Sequence, residues 1–275
     1  MTSLDLTAID DLGVESPRQR QQVTVDDVDF DALRETEVVE HVMVALEEGR
    51  GGNLITPNVD ILRQLRQPQL RELAEQAELV VPDGMPIVWA SRIQGEELPE
   101  RVTGSSLIWS LSEAAARSDR SLYLLGGAEG IAERAADRLT EEYEGLEVAG
   151  VHCPPFGFEK RPETLEETVN AVVEAKPDIV FVALGFPKQE HLMQHLRRHL
   201  PNTWFVGCGG TLTMVAGEVS RAPLWIQRSG LEWVHRLVME PRRMAKRYLV
   251  HDLPYAAGLF SRSVRKRLRG SADAC

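Results

Sequence analysis

The stretch that decides the fold is DIVFVALGFPKQE, residues 178–190. Its apolar run IVFVAL is nearly continuous, a pattern typical of a parallel strand that is buried on both faces. Lys188, Gln189 and Glu190 then fall at the start of the next predicted helix. In α/β sheets, side chains at the carboxyl ends of strands face the ligand-binding crevice. Gln189 is therefore a candidate pocket residue, although the ordinary polarity of a helix N-terminus also accounts for the pattern.

Short apolar runs alternate with helical patterns through most of the chain. Alternation of this kind indicates an α/β fold with a Rossmann-like, mostly parallel sheet flanked by helices. A first helix begins near Phe30. Predicted strands lie at 53–56, 79–81, 121–125, 146–151, 178–184 and 203–206. Further helices are predicted near 59–66, 69–77, 86–93, 105–117, 129–142, 162–175, 188–198 and 211–216.

Charge is distributed unevenly along the chain. The 275 residues carry a net charge of −11, yet residues 221–275 alone carry a net charge of +8. We predict an acidic, disordered leader over 1–30, a Rossmann-like core over 31–220 and a basic, amphipathic helical appendage over 221–275. The appendage favours an anionic partner such as nucleic acid, a membrane surface or phosphate, although a solvated basic helix has the same composition.

Several classes of protein are disfavoured by composition. Neither the seven histidines nor Cys153, Cys208 and Cys275 show metal-ligand spacing. Cys153 and Cys208 lie among apolar residues and are expected to be reduced core residues. The N-terminus lacks the basic-then-apolar pattern of a signal peptide, and no apolar run approaches the ~20 residues that span a bilayer. We expect a cytoplasmic or membrane-peripheral protein that holds no metal.

A second site signal is the stretch LVVPDGMP with the following ERVTGSSL. Pro82 ends a predicted strand, and Asp83 follows beside Gly84, a position from which a carboxylate points into the crevice. Arg101 lies in a segment rich in hydroxyls that precedes an apolar helix, and guanidinium groups pair well with phosphate. The two segments together predict a site for a charged or phosphorylated substrate.

Other strand ends carry weaker signals. Thr56 and Asn58 lie where a predicted strand ends and a helix begins. This position is explained either by a helix cap or by a place on the rim of the crevice. The turn GCGGT at 207–211 would let a ligand approach the backbone. The turn GGAEG at 126–130 is a weak nucleotide signal, because tight turns need glycine and the next strand ends without the acid of a dinucleotide fingerprint.

Six motifs, in this order and spacing, resemble the WecG/TagA/CpsF family of bacterial glycosyltransferases: PDGMP, ERVTGSSL, ALGFPKQE, GCGGT, RAPLWIQRSGLEW and RLVMEPRRMAKRYL. The resemblance covers roughly residues 35–250. It implies inverting, metal-independent transfer of an N-acetylmannosamine-type sugar from a UDP-sugar to a lipid-linked GlcNAc, with no cofactor. The products in the family are linkage units of wall teichoic acid, enterobacterial common antigen and other surface polysaccharides.

The resemblance also implies roles for residues of this chain that match the motifs. Asp83 matches the general base. Many members carry Asp where this chain has Thr213, so a role of that Asp in donor selection or oligomer contact does not carry over, and a homo-oligomer is left open. Thr56, Asn58, Arg101 and Gln189 match pocket residues, and Arg236, Arg242, Arg243 and Arg247 match the region that reaches the diphosphate.

The partners expected from the resemblance are a UDP-sugar donor, a polyprenyl-diphosphate-linked GlcNAc acceptor and the anionic inner face of the cell membrane, reached through the appendage. Nucleic acid is not expected, because the aromatic residues of the appendage fall on apolar helical positions rather than on an exposed stacking surface. Two alternatives stay open: a non-catalytic nucleotide- or nucleic-acid-binding module, and an NAD-linked sugar dehydrogenase. The donor sugar, acceptor lipid and final polymer are not determined by the sequence.

Overall fold

The computed structural model describes residues 20–219, 223, 226, 232–239 and 241–273, without the side chains of 236, 242, 243 and 270–273. The strands are β1 Gln22–Val25, β2 Val28–Asp31, β3 Gly52–Ile55, β4 Leu79–Val80, β5 Ser121–Gly126, β6 Glu147–His152, β7 Ile179–Ala183 and β8 Trp204–Gly207. The α-helices are α1 Glu35–Glu47, α2 Val59–Gln64, α3 Pro68–Glu75, α4 Met85–Gln94, α5 Gly104–Arg117, α6 Ile131–Glu142, α7 Pro162–Ala175, α8 Lys188–Arg197, α9 Thr211–Val215, α10 Glu232–Met239, α11 Pro241–Ala245 and α12 Leu253–Asp273. A π-helical stretch, Lys246–Asp252, joins the last two.

The six predicted strands form one parallel sheet in the order β4-β3-β8-β7-β5-β6, so the predicted Rossmann-like fold is confirmed. Both faces of the sheet are covered. In β7, Ile179 and Phe181 belong to one hydrophobic cluster, whereas Val180 and Val182 belong to the cluster on the opposite face. Burial on both sides is the reason that this strand has no polar alternation. Because the strands are parallel, the loops that follow β3, β4, β7 and β8 lie at the same edge.

The prediction of a disordered leader over 1–30 is wrong for residues 22–30, which together with Asp31 form an ordered hairpin. β1 and β2 pair antiparallel, and the turn residues Asp26 and Asp27 have φ values of 51° and 64°. Positive φ at both central residues is the type I′ geometry that suits the twist of a two-residue hairpin. Val23, Val25 and Phe30 are buried in a core cluster. Residues 1–19 lie outside the described residues.

Helix α12 packs against α4 and the hairpin, and acids of the core neutralise part of its charge. The Arg262 guanidinium donates to both oxygens of Asp26, at 2.5 and 3.0 Å. The Tyr255 hydroxyl donates to the same carboxylate at 2.5 Å, and burial together with this bond raises the pKa of Tyr255. Lys266 Nζ lies 2.9 Å from Glu96 Oε2. These contacts hold α12 against the hairpin and against the segment that follows α4.

The apolar residues of α12 divide between a buried and an exposed face. Leu259 is 1 % exposed and packs in the core. Val264 and Leu268 are exposed instead, at 46 % and 65 %. Within the described ranges, no helix has the length and apolar character needed to cross a membrane.

Candidate active site

A polar cleft of about 360 Å³ lies at the carboxyl edge of the sheet. Much of it is formed by the loops that follow β3, β4, β7 and β8, and the appendage contributes further lining residues, among them Glu232 and His235 of α10 and Arg247. The tertiary structure thus brings together residues from widely separated motifs. Five of the predicted site residues line the cleft: Thr56, Asn58, Asp83, Gln189 and Arg247.

Thr56 and Asn58 have structural partners as well as positions in the cleft. The Thr56 hydroxyl donates to the carbonyl oxygen of Gly207 at 3.3 Å and so ties the end of β3 to the end of β8. Asn58 caps α2, because its Oδ1 accepts from the Ile61 amide at 3.1 Å. The same oxygen accepts from Arg247 Nη2 at 3.2 Å. The cap expected at Asn58 therefore also connects the core to the appendage.

Asp83 is placed by backbone hydrogen bonds on both sides of it. Its amide donates to the Pro57 carbonyl at 3.0 Å, and the Pro82 carbonyl accepts from the Val102 amide at 2.9 Å. The carboxylate is partly buried and lies against the cleft. A short strand, a proline and two backbone hydrogen bonds anchor the main chain of this segment, so the backbone position of Asp83 does not depend on its own side-chain contacts.

A second cavity of about 240 Å³ adjoins the first, between α4 and the appendage. Its lining is mostly apolar and includes Trp89, Leu253 and Phe260. Of the residues that the structure describes, four line both cavities: Asn58, Asp83, Glu232 and Arg247. Asp83 therefore lies where a polar compartment meets an apolar one.

Gln189 joins the two glycine turns, which we define as Gly185 after β7 and Gly207–Gly210 after β8. Its Oε1 accepts from the amides of Gly185 and Gly209, each at 3.1 Å. Its Nε2 donates to Glu190 Oε1 at 2.9 Å. Both side chains are 3 % exposed. Gln189 is thus a tie between two loops of the cleft as well as a lining residue.

Arg101 lines the apolar cavity rather than the polar cleft, and it is paired. Its Nη1 donates to Oε2 of Glu232 at 2.7 Å, and the two side chains are 15 % and 8 % exposed. This pair connects the core to α10. No local pattern indicates Glu232 as the partner of Arg101, because 131 residues separate the two.

Arg247 is surrounded by acceptors from both parts of the chain. Its Nε lies 3.6 Å from Asp60 Oδ2 and 3.5 Å from Asp252 Oδ2. Burial raises the pKa of Asp252, and the Arg247 charge opposes that rise. The other predicted arginines, Arg236, Arg242 and Arg243, lie on α10 and α11 with side chains outside the described residues.

The remaining groups that could act as a nucleophile or as metal ligands are a buried thiol and dispersed His, Cys, Asp and Glu side chains. Cys208 lines the cleft as a free thiol, and burial raises its pKa to about 12. In the part of the chain that the structure describes, no three His, Cys, Asp or Glu side chains are grouped so that they could hold a metal ion.

The fold and the two cavities define a Rossmann-like α/β protein whose ligand site lies at the carboxyl ends of its strands, partly covered by a helical appendage. Comparison with known proteins then specifies the class. The model of the glycosyl transferase WecG/TagA/CpsF family matches residues 23–269, so the chain belongs to this family and is a glycosyltransferase. Neither a non-catalytic binding module nor an NAD-linked dehydrogenase describes it.

Individual relatives carry a more specific name. The N-acetylglucosaminyldiphosphoundecaprenol N-acetyl-beta-D-mannosaminyltransferase of Bacillus spizizenii is 29 % identical over 225 residues, 81 % of this chain and 85 % of that protein. The enzyme of the same name from Staphylococcus aureus strain MW2 is 28 % identical over 256 residues, which cover 92 % and 98 % of the two chains. The similarity extends over nearly the whole described structure.

Proposed function

We propose that this chain transfers an N-acetylmannosamine-type sugar from a UDP-sugar to the GlcNAc of a polyprenyl-diphosphate-linked acceptor, with inversion at the anomeric carbon. The names of its relatives support the sugar and the acceptor. Asp83 is the proposed general base. Thr56, Asn58 and Gln189 are proposed to line the donor site.

The observation that carries this proposal is the position of Asp83 in the linings of both cavities. A UDP-sugar is polar and anionic, and it suits the cleft formed by the strand-end loops. The polyprenyl chain of the acceptor, joined to GlcNAc through a diphosphate, favours an apolar surface near the acceptor site. The cavity lined by Trp89, Leu253 and Phe260 offers one. Donor and acceptor would then meet at the Asp83 carboxylate.

The chemistry follows from this placement. The acceptor hydroxyl gives its proton to Asp83 as its oxygen forms a bond to the anomeric carbon, and the bond from that carbon to the diphosphate oxygen breaks. UDP leaves with the electron pair. A positioned carboxylate base contributes about 10²–10⁴-fold to such a step.

The leaving UDP gains negative charge, which a fixed guanidinium can stabilise. Arg247 lines both cavities and is proposed to act there, together with Arg236, Arg242 and Arg243. Arg101 is proposed to contact a diphosphate from the apolar cavity, where it now pairs with Glu232.

The proposed reaction is tested by a donor screen. Purified protein, a short-chain GlcNAc-diphospholipid and a panel of UDP-sugars are incubated, and release of UDP is measured. We expect release that depends on the acceptor and is fastest with UDP-N-acetylmannosamine. No acceptor-dependent release with any UDP-sugar would contradict the proposal.

We further propose that the enzyme works at the inner face of the cell membrane, because its acceptor is a lipid. The side chains of Val264, Arg265, Leu268 and Arg269 are exposed and share one face of α12 by their helical spacing. Cations beside apolar side chains favour an anionic lipid surface. Truncation after Val250 would not test this face alone, because α12 also carries the buried Leu259.

Point substitutions isolate the contribution of this face. We expect Arg265→Gln/Arg269→Gln to bind anionic vesicles roughly 30-fold more weakly, since each cation near an anionic leaflet adds favourable free energy. Vesicle sedimentation at low and high salt measures the loss of affinity. The difference between variant and wild type should be smaller at high salt, because salt screens the attraction of Arg265 and Arg269 to the anionic vesicle. Arg117→Gln/Arg198→Gln removes two exposed arginines of the core as a matched control. Equal sedimentation of all three proteins would refute a role for this face.

A further inference from the structure

Glu190 is a buried carboxyl group to which the proposed reaction gives no role. It is 3 % exposed, and its Oε1 accepts from Gln189 Nε2 at 2.9 Å. Its Oε2 is buried with no hydrogen-bond partner among the described residues. A buried carboxyl group with one unsatisfied oxygen costs stability, so its presence beside a site calls for an explanation.

The geometry of Gln189 makes the partner of Nε2 important. Oε1 of Gln189 accepts from two backbone amides, one in each glycine turn, so the amide group has only one orientation that satisfies them. In that orientation Nε2 points to Glu190, an acceptor when ionised. An ionised carboxylate accepts a charge-assisted hydrogen bond from Nε2 and so stabilises the side-chain orientation that joins the two turns.

Gly207 shows how closely this arrangement approaches the cleft. A Cβ atom added there would lie 2.7 Å from Gln189 Nε2 and 3.4 Å from Glu190 Oε1. The carbonyl oxygen of the same glycine accepts from the Thr56 hydroxyl. The buried pair and the end of β3 thus meet at one residue that lines the cleft.

We propose that Glu190 is a positioning residue: its carboxylate orients Gln189, which holds the two glycine turns in the arrangement that receives the UDP-sugar. The inference rests on the proposed function. It assigns Glu190 no contact with substrate. The consequence is that donor affinity depends on the ionisation of a group outside the reacting atoms.

The surroundings of Glu190 set the pH range of this effect. Burial raises its pKa to about 7, opposed by the bond from Gln189 and a backbone hydrogen bond. No charged side chain among the described residues of α7, β3, β7 or β8, the elements packed against α8, contributes to this shift. On α8 itself, Lys188 pairs with Glu159 at 3.0 Å, and His191 is exposed. Protonation near neutral pH would remove the charge assistance from the bond to Gln189.

The test measures binding of UDP-N-acetylmannosamine by calorimetry between about pH 6 and about pH 8, a range in which the ligand keeps a constant charge. We expect the wild-type Kd to rise as the pH falls through 7, by up to about fivefold, the difference between a charged and a neutral hydrogen bond. Glu190→Gln should bind with a Kd that does not vary with pH. His235→Asn, which removes the imidazole lining the cleft, should keep the wild-type dependence.

Two further measurements protect the test against misfolding of a variant. Because the folded-state pKa of Glu190 lies above its ordinary 4.5, stability is lost as the pH rises from about 4.5 to about 7. As the pH rises over this range, the wild type should lose stability that Glu190→Gln does not lose. The Tm of Glu190→Gln minus that of the wild type should therefore increase. In the wild type itself, the NMR signals of the Gly185 and Gly209 amides should titrate together near pH 7.

The outcomes separate the inference from the proposed function. Binding that is pH-independent in the wild type, or equally pH-dependent in Glu190→Gln, would overturn the role of Glu190 alone. If His235→Asn lost the pH dependence of donor binding, the His235 imidazole would be its source. That result would also overturn the positioning role of Glu190. Absence of UDP-sugar binding in every protein at every pH would overturn the proposed donor site and this inference together.

Discussion

Asp83→Asn is expected to lower turnover by at least about 10²-fold while the protein folds normally and still binds the UDP-sugar. The substitution keeps the shape of the side chain and removes its capacity to accept a proton. The backbone bonds that place this segment, from the Asp83 amide to Pro57 and from Val102 to Pro82, are unaffected. Turnover of the short-chain acceptor and calorimetric binding of the donor are the two measurements.

A matched control removes a carboxylate that follows another strand of the same sheet. Glu129 follows β5, is exposed and lies outside the lining of the cleft. Glu129→Gln should keep near-wild-type turnover. If Asp83→Asn also kept it, Asp83 would have no part in the reaction; if that variant lost its cooperative unfolding transition, the role of Asp83 would be structural.

Arg247→Ala is expected to lower turnover by about 10²-fold, the cost of removing one group that stabilises charge developing in the transition state. It should also lower the free energy of unfolding, because Asp252 is 8 % exposed and would lose its cation. Steady-state kinetics and thermal unfolding measure the two effects. The difficulty is that loss of stability by itself could reduce activity.

The double substitution Arg247→Ala/Asp252→Asn separates these effects. Removing the buried negative charge as well should restore most of the stability, since no unpaired carboxylate is left. Turnover should stay low, because the guanidinium that is proposed to stabilise the leaving diphosphate is still absent. Recovery of turnover in the double variant would mean that Arg247 acts only by compensating Asp252.

The core strands and the hairpin at 22–31 show where patterns in the sequence are sufficient to predict structure and where they are not. The core strands were predictable, because burial on both faces demands continuous apolar runs such as IVFVAL. The hairpin at 22–31 was missed, because acidic composition outweighed a real signal: valines alternating with polar residues on both sides of Asp26-Asp27. Two aspartates in place of the usual Asn-Gly concealed the turn.

The candidate site divides in the same way. Asp83, Thr56 and Gln189 were found from sequence because each follows a strand, and parallel strands bring their carboxyl ends to one edge. The pairing of Arg101 with Glu232 had no local signal. No local signal indicated that a polar and an apolar cavity meet at Asp83 either, because this arrangement depends on how the appendage packs against α4.

The sequence by itself determined the class of fold, the edge of the sheet that carries the site and the family, because local periodicity and motif order record these directly. Only the tertiary structure decided which cations of the appendage are matched by core acids. It also revealed that Gln189 ties two turns together and that Glu190 is buried beside it. Side chains far apart in sequence interact only after the chain has packed, so their partners, burial and pKa values follow from the fold rather than from local sequence.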